Sequence, residues 1–77
     1  MIAIIEDFKT GWYGISFELG TEEIDHLISH LQRLKQGEIG HFHFYEDHTV
    51  EKNGIADVEF SLKDEHESDN MRILGKI

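Results

Sequence analysis

The apolar residues Ile24, Leu27, Ile28, Leu31 and Leu34 recur at three- and four-residue spacing within TEEIDHLISHLQRLKQG, which predicts one amphipathic helix. Thr21 stands where an N-cap belongs. Glu22 and Glu23 suit the positive end of the helix dipole, Arg33 and Lys35 suit the negative end, and Gly37 supplies the stop. Before the helix the period drops to two. In WYGISFEL, Tyr13, Ile15, Phe17 and Leu19 face one way, and Trp12, Gly14, Ser16 and Glu18 the other. MIAIIEDF reads as the preceding strand, joined through KTG, so residues 2–19 are expected to form a hairpin.

After the helix, EIGHFHFYE, GIADVEFSL and NMRILGKI read as three further strands. Ala56, Val58, Phe60 and Leu62 alternate with Asp57, Glu59 and Ser61, the signature of a half-exposed strand. Asn53-Gly54 is a type I′ turn signal, but parity opposes a two-residue hairpin there. In that register Phe42 and Phe44 would lie opposite the face of Val58 and Phe60. A bulge or a longer loop over residues 47–54 is therefore expected.

The order β-β-α-β-β-β predicts a single α+β domain over residues 1–77, with two layers: one helix packed on a mostly antiparallel sheet. Its expected core is Ile15, Phe17, Leu19, Ile24, Leu27, Ile28, Leu31, Leu34, Phe42, Phe44, Val58, Phe60 and Ile73.

At 77 residues the chain buries only about 60% of the surface its unfolded form exposes. Scaffolds of this size gain stability from disulfides, a metal or a partner subunit. Cysteine is absent, which removes disulfides, thiolate metal sites and thiol nucleophiles. A homodimer is the expected solution. Sixteen acids against seven bases give a net charge of −9, and residues 46–69 hold nine of those acids with only Lys52 and Lys63 against them. Such a field repels phosphate backbones and anionic membranes, so neither is an expected partner, and it speeds encounter with a basic protein. Its plainer reading is a solvated face. The opening lacks the basic start and long apolar stretch of a signal peptide, and no apolar run approaches the roughly 20 residues that cross a bilayer. The expected location is cytoplasmic.

Candidate chemistry centres on histidine. Alternation sends Phe42 and Phe44 toward the helix and His41, His43 and Tyr45 away from it. His41 and His43 then sit about 7 Å apart at Cα, near enough to share an ion, though a zinc site needs a third protein ligand. His26 and His30 form a second pair at helical spacing, without the glutamate of the zinc-protease motif. The two pairs lie on opposite outer faces and cannot converge within one chain. No metal or other cofactor is therefore expected. A polar strand face is the plainer reading of His41 and His43. The sharper one is a partner-binding face in which Trp12, His41, His43, Tyr45 and Leu74 line the sheet side away from the helix, with Asp57 and Glu59 supplying charge. KDEHESDN lacks the calcium-loop pattern and reads as a solvated loop. Ser16, Ser29, Ser61 and Ser68 have no nucleophile-elbow context, and acid–base work by Asp57 and Glu59 needs a dry pocket that one helix on a flat sheet does not offer. An enzyme is not expected.

ISFELGTEEIDHLISHLQRLKQG followed by EIGHFHFYED resembles small bacterial immunity proteins of polymorphic toxin systems, in an amphipathic helix leading into a strand with a Gly-His-x-His-like segment. The resemblance covers residues 15–47. It implies a protein that binds and neutralises a cognate toxin without catalysis, with His41 and His43 as the family-like positions. Many such toxins are nucleases with basic grooves, which an acidic protein can approach and block. Two other readings compete with it: a structural or regulatory homodimer, and a histidine metal-binding module.

Overall fold

The structure, a computed structural model, describes residues 1–49 and 54–66. It is an α+β arrangement of β1 (Ile2–Asp7), β2 (Tyr13–Glu18), α1 (Thr21–Lys35), β3 (His41–Glu46) and β4 (Asp57–Ser61). Among the described residues the strands form two separate antiparallel pairs, β1–β2 and β3–β4, rather than the one sheet expected. The strand predicted over 70–77, with Ile73 and Leu74, lies outside the described residues, as does Asn53 of the expected turn.

In the first pair, Ile2 stands opposite Glu18 and Asp7 opposite Tyr13. The chain reverses through residues 8–12, where Phe8 N–H donates to the Trp12 carbonyl at 3.1 Å and the Asp7 carboxylate accepts Lys9 N–H at 2.9 Å. Lys9 (φ 62°) and Gly11 (φ 90°) take left-handed backbone to close this loop. The Phe8 ring lies over Gly14, so close that a Cβ there would sit 2.8 Å from its tip. The alternation expected of β2 holds. Tyr13, Ile15 and Phe17 share a face with Ala3 and Ile5, while Ile2 and Ile4 lie on the other.

Helix α1 is capped one residue earlier than expected. Gly20 is the N-cap and Thr21 the first helical residue. With no side chain to cap from Gly20, the bond runs backward: the Glu23 carboxylate accepts Gly20 N–H at 2.9 Å. The C-terminus behaves as its glycine predicts. At φ 77°, Gly37 lets its own N–H reach the Leu34 carbonyl and that of Glu38 reach Arg33, a Schellman ending.

The core is smaller than expected. Only Leu34 and Phe42 are buried among the described residues, at 6% and 7% exposure. Phe42 stacks on Phe60 with centroids 5.3 Å apart and meets the His30 ring at 5.1 Å, and Phe44 meets Phe60 edge-on at 6.5 Å. Phe17, Leu19, Leu27 and Val58 adjoin this cluster beside Met1. Ile15, Phe17, Ile24, Ile28 and Leu31, all expected inside, remain exposed. The reason is the seating of the helix. Leu27, His30 and Leu34 face β3–β4, and Ile24, Ile28 and Leu31 fall on the flank that stays exposed.

Candidate functional site

The β3–β4 pair carries the site, and one backbone irregularity arranges it. His41 pairs with Ser61, Phe42 with Phe60 and His43 with Glu59, but Tyr45 pairs with Val58, leaving Phe44 as the extra residue of a bulge. The parity conflict is thus met by a bulge, and beyond the ladder Asp47 N–H still donates to the Ala56 carbonyl at 2.7 Å. The loop expected over residues 47–54 lies in part outside the described residues.

The bulge changes which side chains meet. Before it, His41 and His43 share a face with Glu59 and Ser61. After it, Glu46 and Asp57 take that face, and Tyr45 moves to the side of Val58 and Phe60. Tyr45 therefore does not join the histidines, contrary to simple alternation. It is half-buried beside Met1, Ala3 and Ile55, and its hydroxyl donates to the Asp47 carboxylate at 2.9 Å. Asp47 also accepts the backbone N–H and hydroxyl of Thr49, at 2.8 and 2.7 Å. Those Thr49 bonds, with the Tyr45 hydroxyl, hold the Asp47 carboxyl below its usual range. The same Tyr45–Asp47 bond, aided by burial, raises the Tyr45 phenol. Trp12 stands apart from the histidine cluster. It lies in the β1–β2 loop, on the other strand pair, and is 75% exposed.

His43 is the centre of what remains. Its Nδ1 lies 2.8 Å from Asp57 Oδ1 and 3.3 Å from Glu46 Oε1, and its Nε2 lies 3.4 Å from Glu59 Oε1. The hydrogen bond to Asp57 comes first in raising the His43 pKa. Partial burial opposes it, and the charges of Asp57, Glu46 and Glu59 add to it. His41 stands edge-on to His43 with ring centroids 5.4 Å apart, and its Nε2 is 4.0 Å from the same Glu59 oxygen. His41, His43, Asp57 and Glu59, all singled out from the sequence, are therefore one cluster. Glu46 is the member that sequence reasoning missed, because only the bulge carries it across to the histidine face.

Two sets of three donors lie within 4.8 Å of one another: His41, His43 and Glu59, and His43, Glu46 and Asp57. A third donor, which His-x-His alone lacked, thus stands on the neighbouring strand. The helix pair does not contribute. His30 packs on Phe42 on the opposite side, with its Nδ1 2.7 Å from the His26 carbonyl. Among the described residues no helix is long and apolar enough to cross a membrane.

Comparison with protein-family models, with curated proteins and with solved structures finds no match to this chain.

Proposed function

We propose that this chain is a non-enzymatic protein-binding module whose fold is completed by a second copy of itself. One observation carries the reading: among the described residues the β1–β2 pair leaves isoleucines exposed on both faces, although one of them also carries Glu6, Ser16 and Glu18. Ile5 and Ile15 are exposed on one side and Ile2 and Ile4 on the other, with Ile15 at 64%. A two-stranded pair is at best marginally stable alone in water. Only Leu34 and Phe42 are buried among the described residues, so cover is needed whenever the chain is folded. A second copy is the one partner always present. The crowded acids Glu46, Asp57 and Glu59 belong to the other strand pair, β3–β4. Light scattering on the purified chain should give twice the monomer mass, and Ile15→Glu should give a monomer. A wild-type monomer across the micromolar range would sink the dimer.

The acidic β3–β4 face favours a further use within the same class, an immunity-type inhibitor that meets a basic toxin. Support comes from the three carboxylates gathered around one histidine and from the net charge of −9. Co-expression with the product of the neighbouring gene in a sensitive host should restore growth, and the pair should separate as salt rises. Asp57→Lys with Glu59→Lys should abolish both effects. Rescue that survives this charge reversal would remove the acidic face from the account.

A further inference from the structure

We infer that His41, His43 and Glu59 form a binding site for one divalent transition-metal ion of the zinc type, with Asp57 orienting His43 behind it. This site stands independently of the dimer and of any toxin.

Geometry comes first. Tetrahedral zinc with nitrogen and oxygen ligands at about 2.0–2.1 Å has donor atoms about 3.3 Å apart. His43 Nε2 and Glu59 Oε1 are already 3.4 Å apart. His41 Nε2 lies 4.0 Å from that same oxygen, and all three donors fall within 4.8 Å of one another. Modest rotation of exposed side chains closes the set without moving the backbone. The ladder makes this convergence reproducible. His43 is directly opposite Glu59, and His41 is two residues along the same face, so the three side chains rise from adjacent positions of one antiparallel pair.

Asp57 supplies the second line of argument. Histidines that ligate metal usually donate their other ring N–H to a carboxylate, which fixes the tautomer and strengthens the ligand. Asp57 Oδ1 lies 2.8 Å from His43 Nδ1, on the ring edge away from Glu59. With the Nδ1 proton held there, the Nε2 lone pair points at the ion. Glu46 stands 3.3 Å from the same Nδ1 and adds negative charge to the outer rank.

Charge balance points the same way. Glu46, Asp57 and Glu59 crowd one face around a single central imidazole, and like charges on neighbouring face positions repel. A divalent ion at Nε2 offsets two negative charges and leaves the Nδ1 hydrogen bond intact. Imidazole and carboxylate together suit zinc, cobalt or nickel better than calcium or magnesium, which prefer all-oxygen shells. Three protein ligands leave a fourth position for water or for a donor from a docked partner.

The test uses the full chain without an affinity tag. Zinc is titrated in competition with a chromophoric chelator, and cobalt is added separately for its visible spectrum. One ion per chain is expected, with intense tetrahedral-type cobalt absorption. His41→Ala and His43→Ala should each abolish stoichiometric uptake, and His26→Ala should leave it unchanged. Asp57→Asn should weaken binding about 10- to 100-fold with the cobalt spectrum kept, as loss of an outer partner does. Zinc should also shift the imidazole proton resonances of His41 and His43 in the wild-type chain while sparing His26, a readout that does not depend on any variant folding. No uptake against the chelator, uptake that survives loss of both strand histidines, or zinc-induced shifts confined to other histidines would each overturn the site.

Discussion

Phe44 occupies one more position than its partner strand can match, and that surplus residue decides the company of its neighbours. Without it Tyr45 would stand beside His41 and His43. With it, Tyr45 turns to the core side and Glu46 joins the histidines. Tyr45 then finds Asp47, which also receives two bonds from Thr49, so that three donors converge on one carboxylate. The sign of the pH effect follows. A carboxyl whose folded pKa is depressed contributes stability that is present above its unfolded pKa and is lost as pH falls through the folded value. Asp47→Ala should therefore lower stability to urea at neutral pH, and its deficit should shrink as pH drops below the ordinary aspartate range. A deficit that stayed constant down to strong acid would show that the carboxylate's charge contributes nothing. The residue identities were legible in the sequence, and so was the need for a bulge or a long loop. The position of the bulge was not, because parity says only that one residue is surplus.

At the scale of elements, α1 was the most legible part of the chain. Its span, end charges and glycine stop all follow from local chemistry that the rest of the fold does not override. Gly37 has no atom within 4 Å of where a Cβ would stand, so Gly37→Ala meets no clash and isolates the backbone cost of φ 77°. That cost should be about 1 kcal/mol, readable as a lower urea midpoint at unchanged slope. A neutral substitution would mean that the Schellman ending adds nothing. The cap at the other end was misplaced by one residue, since Thr21 is the better capping side chain but Gly20 has the extended backbone (ψ 164°). The alternation of β2 was read correctly, yet alternation states only which residues share a face. It does not state whether anything covers that face, and Ile15 and Phe17 remain exposed.

At the scale of the whole molecule, the described residues seat the helix on β3–β4, with Phe17 and Leu19 beside that cluster, and leave much of β1–β2 and one flank of the helix exposed. Burying apolar surface contributes about 25 cal/mol per Å², so covering several isoleucine and phenylalanine side chains matters greatly to a domain this small. Association that buries them makes stability depend on protein concentration, and the melting midpoint of the proposed dimer rises with it. The sequence by itself determined the α+β composition, the helix with its ends, the strand alternation, the acidic balance and the histidine pairs, because each depends on residues within a few positions of one another. Only the tertiary structure decided that the described strands form two pairs instead of one sheet, that the helix seats on Leu27, His30 and Leu34, and that Glu59 and Asp57 flank His43. Those outcomes depend on register between segments distant in the chain, where one surplus residue at position 44 moves Tyr45 and Glu46 to the opposite faces.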